Sequence, residues 1–487
     1  MLPAEALAHR FRAGTLSPVE VAHACLARIA RLNPDLSAMV ALDEAGAPEP
    51  RGKDGALGAV IAPVAGDGRI FVSGGAAHQG TAGRRAGGSN RGFQGIGLMR
   101  IGIIGSGVAG SLLAEGLLGA PGLDVTVFER VGVGEHAEAG TGLNLGPNAL
   151  KALRLHNPAR HAALRAASLP WRRWFVDLAD GTRLLDLDML EVAEEPGVRI
   201  RWSELYRLLR EPLIPVTRHG HALEALEEDA TGRLVPVFRT PDGEMRREGG
   251  FDLLVGADGR YSRLRALTAG EPESEQIGVC IWRLLVSDGG CPFEDYGQWF
   301  EGSSRLLAFP VPGGAVYIAG AFRLEGDGAI PAEARTPAFQ RALFTPARVA
   351  PSPAVAWMLD RIEAGFDDIH WARMQAAPVL RHAAGGRALF LGDAAQAMVP
   401  TLGQGATQAV EDGVIAADTL RAGGDAAAVA ARRDARVAFV RDLSLQSSDT
   451  ILGADPVEGT RKKGREPFLT ALRRLYTEVP GLAHPHG

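Results

Sequence analysis

The chain has 487 residues, a net charge of −5, a pI near 6.2 and 46% hydrophobic residues. That length gives room for two or three domains with ample core, and the acidic balance argues against a nucleic-acid-binding surface. No apolar run reaches the length of a membrane span, no apolar signal segment opens the chain, and Cys25, Cys280 and Cys291 lack metal-ligand or disulfide-framework spacing. The expectation is a soluble protein of the reducing cytoplasm without a metal site, monomeric or homodimeric.

At the N-terminus, Ser17-Pro18-Val19-Glu20 reads as a capping box with proline at the first helical position. It opens a helix whose Val21, Ala22, Cys25, Leu26 and Ile29 share one face, and Leu16 and Val21 are spaced as a hydrophobic staple. With Ala4 to Phe11 this predicts a small helical hairpin within residues 1–46. The stretch from Thr15 through Asn33-Pro34 to Ala38 resembles the N-terminal helices of the amidase signature family. That family's hydrolysis needs a lysine and two serines in a glycine-rich core on a far longer chain, whereas the stretch before Met99 offers Lys53, Ser73 and Ser89 among Gly, Ala and Arg with little apolar pattern. Amidase activity is therefore not expected. Residues 47–98 lack apolar periodicity and read as a disordered linker. Met99 then reads as a natural start, the preceding fragment being joined by gene fusion or by a start codon assigned too early.

Ile101 to Ile104 is a strand-like run that leads into Gly105-Ser106-Gly107-Val108-Ala109-Gly110. The first glycine suits a tight strand-to-helix turn, the second lets amides approach a pyrophosphate, and the third lets helix and strand pack closely. A second strand, Val125 to Phe128, ends in Glu129, followed by Arg130, where a carboxylate can accept hydrogen bonds from a ribose. Together these make a βαβ unit for a dinucleotide, with the helix N-terminus facing the phosphates. By itself the unit does not separate FAD from NAD.

Two later motifs follow strand-like runs. Leu253-Leu254-Val255 precedes Gly256-Ala257-Asp258-Gly259-Arg260, and Ala388 to Leu391 precedes Gly392-Asp393-Ala394-Ala395-Gln396. Each carboxylate thus falls at a strand's C-terminal end, where open α/β sheets bind ligands, although either pair alone also suits a turn. Between the motifs, Val279 to Arg283, Arg305 to Val311 and Ala315 to Phe322 read as strands, the last two joined by Pro312-Gly313-Gly314. Pro400 to Gly405 reads as an irregular loop feeding a helix from Ala406 to Leu420, whose amides and positive dipole end suit developing negative charge.

With Gly105 to Gly110, Gly256 to Arg265 and Gly392 to Gly413 in this order, the chain from Met99 onward resembles the class A flavoprotein monooxygenases, the para-hydroxybenzoate and salicylate hydroxylase group. The resemblance implies an α/β fold, with a Rossmann-like FAD-binding domain over residues 99–425, a β-sheet substrate domain inserted at about 171–245 and 275–380, and a helical region over 426–487. It implies FAD as cofactor, held by Gly105, Gly107, Val108, Ala109, Gly110, Glu129, Arg130, Asp258, Asp393, Gly403, Gly405 and Ala406. NADH or NADPH would reduce the flavin. A flavin hydroperoxide formed with dioxygen would then hydroxylate a phenolic or N-heteroaromatic ring.

On the substrate side the candidates are Asn144, Phe309, Pro400 and His382. Asn144, within Gly140 to Asn148, either hydrogen-bonds a ring hydroxyl or satisfies loop backbone. Phe309 walls the pocket or sits in the core, and His382 shuttles a proton or lies at the surface. Three positions depart from the family pattern: Gln396 where histidine is usual, Thr407 where asparagine is usual, and Trp202 where arginine is common. The alternatives are a flavin-dependent oxidase or dehydrogenase, or a non-catalytic flavin-binding protein.

Overall fold

The computed structural model describes residues 98–133, 141–325 and 329–481. The expected N-terminal hairpin, the linker through residue 97 and Gly140 lie outside the described residues.

The strand expected at Ile101 to Ile104 spans Met99–Ile104 and sits inside a six-stranded sheet. Its order is His382–Ala383, Ala388–Phe390, Leu253–Gly256, Met99–Ile104, Leu123–Glu129, Thr217–His219, and only His382–Ala383 runs antiparallel. The register sets Ile104 against both Phe128 and Gly256, and Gly256 against Phe390. The residues that follow these four, including Gly105, Glu129, Asp258 and Asp393, therefore emerge side by side along one edge. Ile101, Ile103, Val127, Leu254, Val255 and Leu389 are fully buried in this sheet, as parallel strands covered on both faces require.

The spans beside the sheet differ from the expected boundaries. Of the expected insertion 171–245, only Arg173–Leu178 and Arg183–Asp188 join the sheet of the substrate domain. Gly197–Arg201 pairs with Gly142–Leu145, and Thr217–His219 pairs with Leu123–Glu129. The hairpin strands Ala222–Glu228 and Leu234–Arg239 bring Leu223 and Phe238 into the cluster with Phe128, Phe251 and Leu254, the Phe128 and Phe238 rings stacking at 4.4 Å. Apolar alternation identifies a buried strand face, but it does not say which sheet the face covers, so chain position alone gave the wrong partner for residues 197–239.

The second sheet has seven strands, ordered His370–Ala376, Glu275–Ser287, Ala315–Arg323, Ser304–Val311, Tyr296–Glu301, Arg173–Leu178, Arg183–Asp188. The three expected strands are its centre, and the hairpin joins Val311 to Ala315 as expected. Side chains alternate between two faces. One face sends Trp282, Leu284, Leu306, Ala308 and Ile318 against the helices Pro337–Phe344 and Pro353–Ala364. The other carries Tyr296, Arg305, Leu307 and Tyr317 toward the cavity described below.

The C-terminal region is helical, with Ala426–Gln446, Asp449–Leu452, Pro456–Lys462 and Phe468–Thr477. Arg433 of Ala426–Gln446 is wholly buried and donates to Asp412 (2.7 Å), Glu411 (2.6 Å) and Gln408 (2.6 Å) of helix Gln404–Arg421. Arg436 adds a bond to Glu411 at 2.9 Å, and Arg381 one to Asp412 at 2.8 Å. Burial pushes the Glu411 carboxyl up, but Arg436 and Arg433 outweigh it and hold the carboxyl at about 2. Among the described residues, no helix is long and apolar enough to cross a membrane, and no cluster of three or more histidine, cysteine or acidic side chains could hold a metal.

Candidate cofactor and substrate groove

Two cavities of about 570 and 520 Å³ share Gly107, Tyr206, Ala257, Gly259, Arg260 and Tyr261 and so form one groove along the strand ends. The smaller contains Gly105, Glu129, Arg130 and Asp258. The larger contains Asn144, Asp393, Pro400, Gly403, Gly405 and Ala406, and Val108 and Ala109 line it as well.

The fingerprint loop is built for close approach. Gly105 has φ +96°, and a Cβ there would lie 2.6 Å from the Ala257 carbonyl oxygen. At Gly110 it would lie 2.0 Å from the Gly105 carbonyl oxygen, so Gly110 packs helix Val108–Leu117 onto the strand turn and does not itself line the groove. Gly107 caps that helix, and no side chain bonds to its first amides. Those amides point at the groove with the positive end of the helix dipole, a fit for phosphate.

Glu129 is 6% exposed, and its carboxylate accepts from the Ser106 amide (2.8 Å), the Ser106 hydroxyl (2.9 Å) and the Val131 amide (3.1 Å). Burial pushes its carboxyl up, yet the Ser106 amide, Arg210 and the Val131 amide together hold it below the usual range. It stays ionised and, with lone pairs to spare, suits ribose hydroxyls. Asp258 is partly spent on its own turn. One oxygen accepts from the Arg263 amide at 2.8 Å at the start of helix Arg263–Ala269, and the other has no protein partner.

Asp393 has no hydrogen-bond partner among the described residues and lines the larger cavity, its carboxyl raised by burial against the pull of Arg260. Beside it Gly403, at φ +64°, caps helix Gln404–Arg421 without a side-chain bond. An uncapped helix start, an unpartnered carboxylate and a second uncapped helix start thus lie along one groove. That set fits a dinucleotide carrying a hydroxylated chain and an electron-accepting ring.

The departures from the family pattern are all engaged. Gln396 accepts from Arg381 and donates to Asp412 at 2.9 Å. The Thr407 hydroxyl accepts from the Gly146 amide at 3.0 Å. Trp202 packs on Tyr206 at 5.3 Å, and Arg210 lies 4.2 Å over the Tyr206 ring, so helix Trp202–Arg210 lines both cavities with an aromatic ladder.

On the substrate side the four candidates separate. The Asn144 side chain makes no hydrogen bond among the described residues, and its amide faces the groove beside Gly403, where an added Cβ would lie 2.7 Å from Nδ2. It does not serve loop backbone. Pro400 lines the same cavity. Phe309 does not: it is fully buried behind the wall, stacked at 5.6 Å on Tyr296 and 4.9 Å from Tyr317. His382 is exposed on the two-residue edge strand and outside both cavities. Its neighbour Arg381 points inward, and alternation turns His382 to the surface.

Sequence reasoning missed Tyr296, Tyr317 and Arg305. Arg305 is 6% exposed, and its guanidinium makes no hydrogen bond or ion pair among the described residues. One signal was available, a charged residue opening the otherwise apolar strand Ser304–Val311.

A family model described as FAD binding domain matches residues 99–430. The chain is 31% identical over 372 residues to a 3-amino-4-hydroxybenzoate 2-monooxygenase of Streptomyces platensis, covering 73% of this chain and 88% of that protein. It is 26% identical over 336 residues to 3-hydroxybenzoate 6-hydroxylase 1 of Aquipseudomonas alcaligenes, covering 66% and 82%. Among solved structures, Klebsiella pneumoniae HpxO complexed with FAD and uric acid superposes with a TM-score of 0.66 at 22% identity, over 80% of this chain and 98% of that one.

Proposed function

Because the chain belongs to the FAD binding domain family of flavoprotein monooxygenases, we propose that it hydroxylates an aromatic ring bearing an acidic group, held at Arg305 in the larger cavity. The observation that carries this reading is the Arg305 guanidinium, buried in the cavity wall without an acceptor among the described residues. An unpaired buried cation costs several kcal/mol, and a carboxylate on the substrate offsets that cost through charge-assisted hydrogen bonds. The walls Ile281, Leu307, Ala319, Met374 and Met398 supply the apolar surface a ring needs. The substrate named for the Streptomyces relative, an aminohydroxybenzoate, has this chemistry.

In this reading Glu129 and the amides at Gly107 to Ala109 hold the adenosine and phosphate end of FAD, and Asp393 its hydroxylated chain. FAD, when bound, would supply the redox chemistry, with NADH or NADPH as the two-electron donor and dioxygen as the source of the oxygen atom. The protein's own groups orient the ring and exclude water. Burial pushes the Tyr317 phenol up to about 12 and raises that of Tyr296, so both keep their protons at neutral pH and serve as donors rather than bases. Asn144 offers an amide donor and acceptor to a ring hydroxyl. Cys280 and Cys291 are free thiols, which accords with a reducing cytoplasm.

The test is a binding and turnover panel of hydroxylated ring acids against their carboxamides. The acids are expected to bind more tightly, to accelerate NAD(P)H oxidation and to yield product carrying oxygen from labelled dioxygen. Arg305→Met should abolish the acid preference, a loss of roughly 10- to 100-fold for one charge-assisted hydrogen bond. Equal binding of acids and carboxamides by the wild type would overturn the assignment of Arg305. Unlabelled, dehydrogenated product would favour an oxidase.

A further inference from the structure

Arg305 lines a second, small chamber as well as the large cavity. This chamber has a volume of about 10 Å³, room for one water-sized occupant, and is bounded by Trp174, Gln298, Arg305, Thr401 and Lys463 among others. Three separate parts of the chain meet there: the seven-stranded sheet, the loop after Asp393 and the C-terminal helical region.

Three of the groups that border it only donate. The Trp174 indole is 5% exposed and its Nε1 has no protein partner. The guanidinium of Arg305, a residue 6% exposed, has none either among the described residues. Lys463, also 6% exposed, donates to the Ser447 carbonyl oxygen and to Asp449 Oδ1 at 2.8 Å each, which leaves one N–H. Indole, guanidinium and ammonium groups donate and do not accept. The other polar neighbours place their protons elsewhere: Gln298 Nε2 donates to the Tyr296 hydroxyl at 3.1 Å, the Thr401 and Ser448 hydroxyls pair at 2.7 Å, and the Ser447, Thr450 and Thr460 hydroxyls donate to the Leu443, Ser447 and Pro456 carbonyl oxygens.

The charge balance points the same way. Two cations border the chamber, and among the described residues the one acid paired to either is Asp449, whose side chain is 45% exposed. Burial depresses the Lys463 ammonium, and the Arg305 charge depresses it further against the pull of Asp449, so the two cations feel each other. A water here would bring two protons of its own into a space that already holds donors and net positive charge. An ion that only accepts satisfies the three donors at once and offsets the net positive charge.

We infer that this chamber is a binding site for a small monovalent anion of halide size, ligated by Trp174 Nε1, the Arg305 guanidinium and the Lys463 ammonium. Arg305 has five N–H groups in a fork, so an anion on one side leaves donors for the substrate cavity on the other. The inference stands whether or not Arg305 meets a substrate.

The experiment is crystallographic, on the full chain loaded with FAD, grown in chloride without any ring compound and measured at a wavelength where chloride scatters anomalously. A single anomalous peak bounded by Trp174, Arg305 and Lys463 is expected. It should weaken in Trp174→Phe, which keeps the ring wall and removes the donor, and disappear in Lys463→Met. Wild-type density at that position with no anomalous signal is a water and overturns the proposal, as does a peak of undiminished height in both variants. Because no ring compound is present, failure here is separate from failure of the acid-recognition test, which reads ligand affinity.

Discussion

The carboxylate of Asp412 accepts a hydrogen bond of 2.8 Å from the backbone amide of Gly392, which ties the middle of helix Gln404–Arg421 to the turn that presents Asp393. The same oxygen accepts from Arg381 and Gln396, and the other accepts from Arg433. The turn facing the groove is therefore positioned by a buried ionic lattice anchored in the C-terminal helix.

Asp412→Asn should weaken FAD binding about tenfold, because losing one charge-assisted bond of roughly 1.5 kcal/mol frees the Gly392 turn. Asp393 itself is untouched in this variant. Titration of the apoprotein followed by flavin fluorescence measures it, and an unchanged affinity would show that the turn holds its shape without Asp412.

Arg433→Met leaves Glu411 and Asp412 buried without the one cation that bonds to both, with Arg436 and Arg381 still in place. The expected loss is about 3–5 kcal/mol of folding free energy, the cost of breaking a buried pair from one side. Urea denaturation monitored by circular dichroism reads this directly. A loss below about 1 kcal/mol, the range of exposed pairs, would contradict the buried network.

Stability should fall on acidification through a window set by Glu411. Its folded carboxyl is held at about 2 against an ordinary value of 4.5, so the folded state binds fewer protons than the unfolded one between these values. The contribution is complete above 4.5 and is lost as pH drops toward 2. Melting temperatures across this window should decline more steeply for the wild type than for Glu411→Gln; parallel curves would remove Glu411 as the cause.

Glu129→Ala should reduce FAD retention by roughly 10- to 100-fold, since it removes a charged acceptor worth about 1.5–3 kcal/mol to a ribose and also releases the Ser106 amide and hydroxyl. Flavin content after gel filtration gives the readout.

Asn144→Ala should leave flavin content intact and lower the fraction of NAD(P)H oxidation that ends in hydroxylated product. Its amide faces the groove and bonds to no protein group among the described residues. Equal losses of FAD and of coupling would instead make Asn144 part of the cofactor site.

Much of the groove along the strand ends was legible in the sequence because its determinants are local. A glycine at φ +96° before a helix, an acid closing a strand and a Gly-Asp pair after another are each fixed by a few neighbouring residues. The same holds for the three strands of the second sheet and for helix Gln404–Arg421, whose patterns need only their own period. What the sequence could not decide is which faces meet. Phe309 and Arg305 share one face of one strand, yet Tyr296 and Tyr317 cover the first while the second opens on two cavities. Alternation specifies a side of a sheet, whereas access to a cavity depends on side chains arriving from strands and helices far away in the chain. Residues 197–239 went to the nucleotide-binding side, and Lys463 came to border the same chamber as Arg305, by long-range packing that no local pattern encodes.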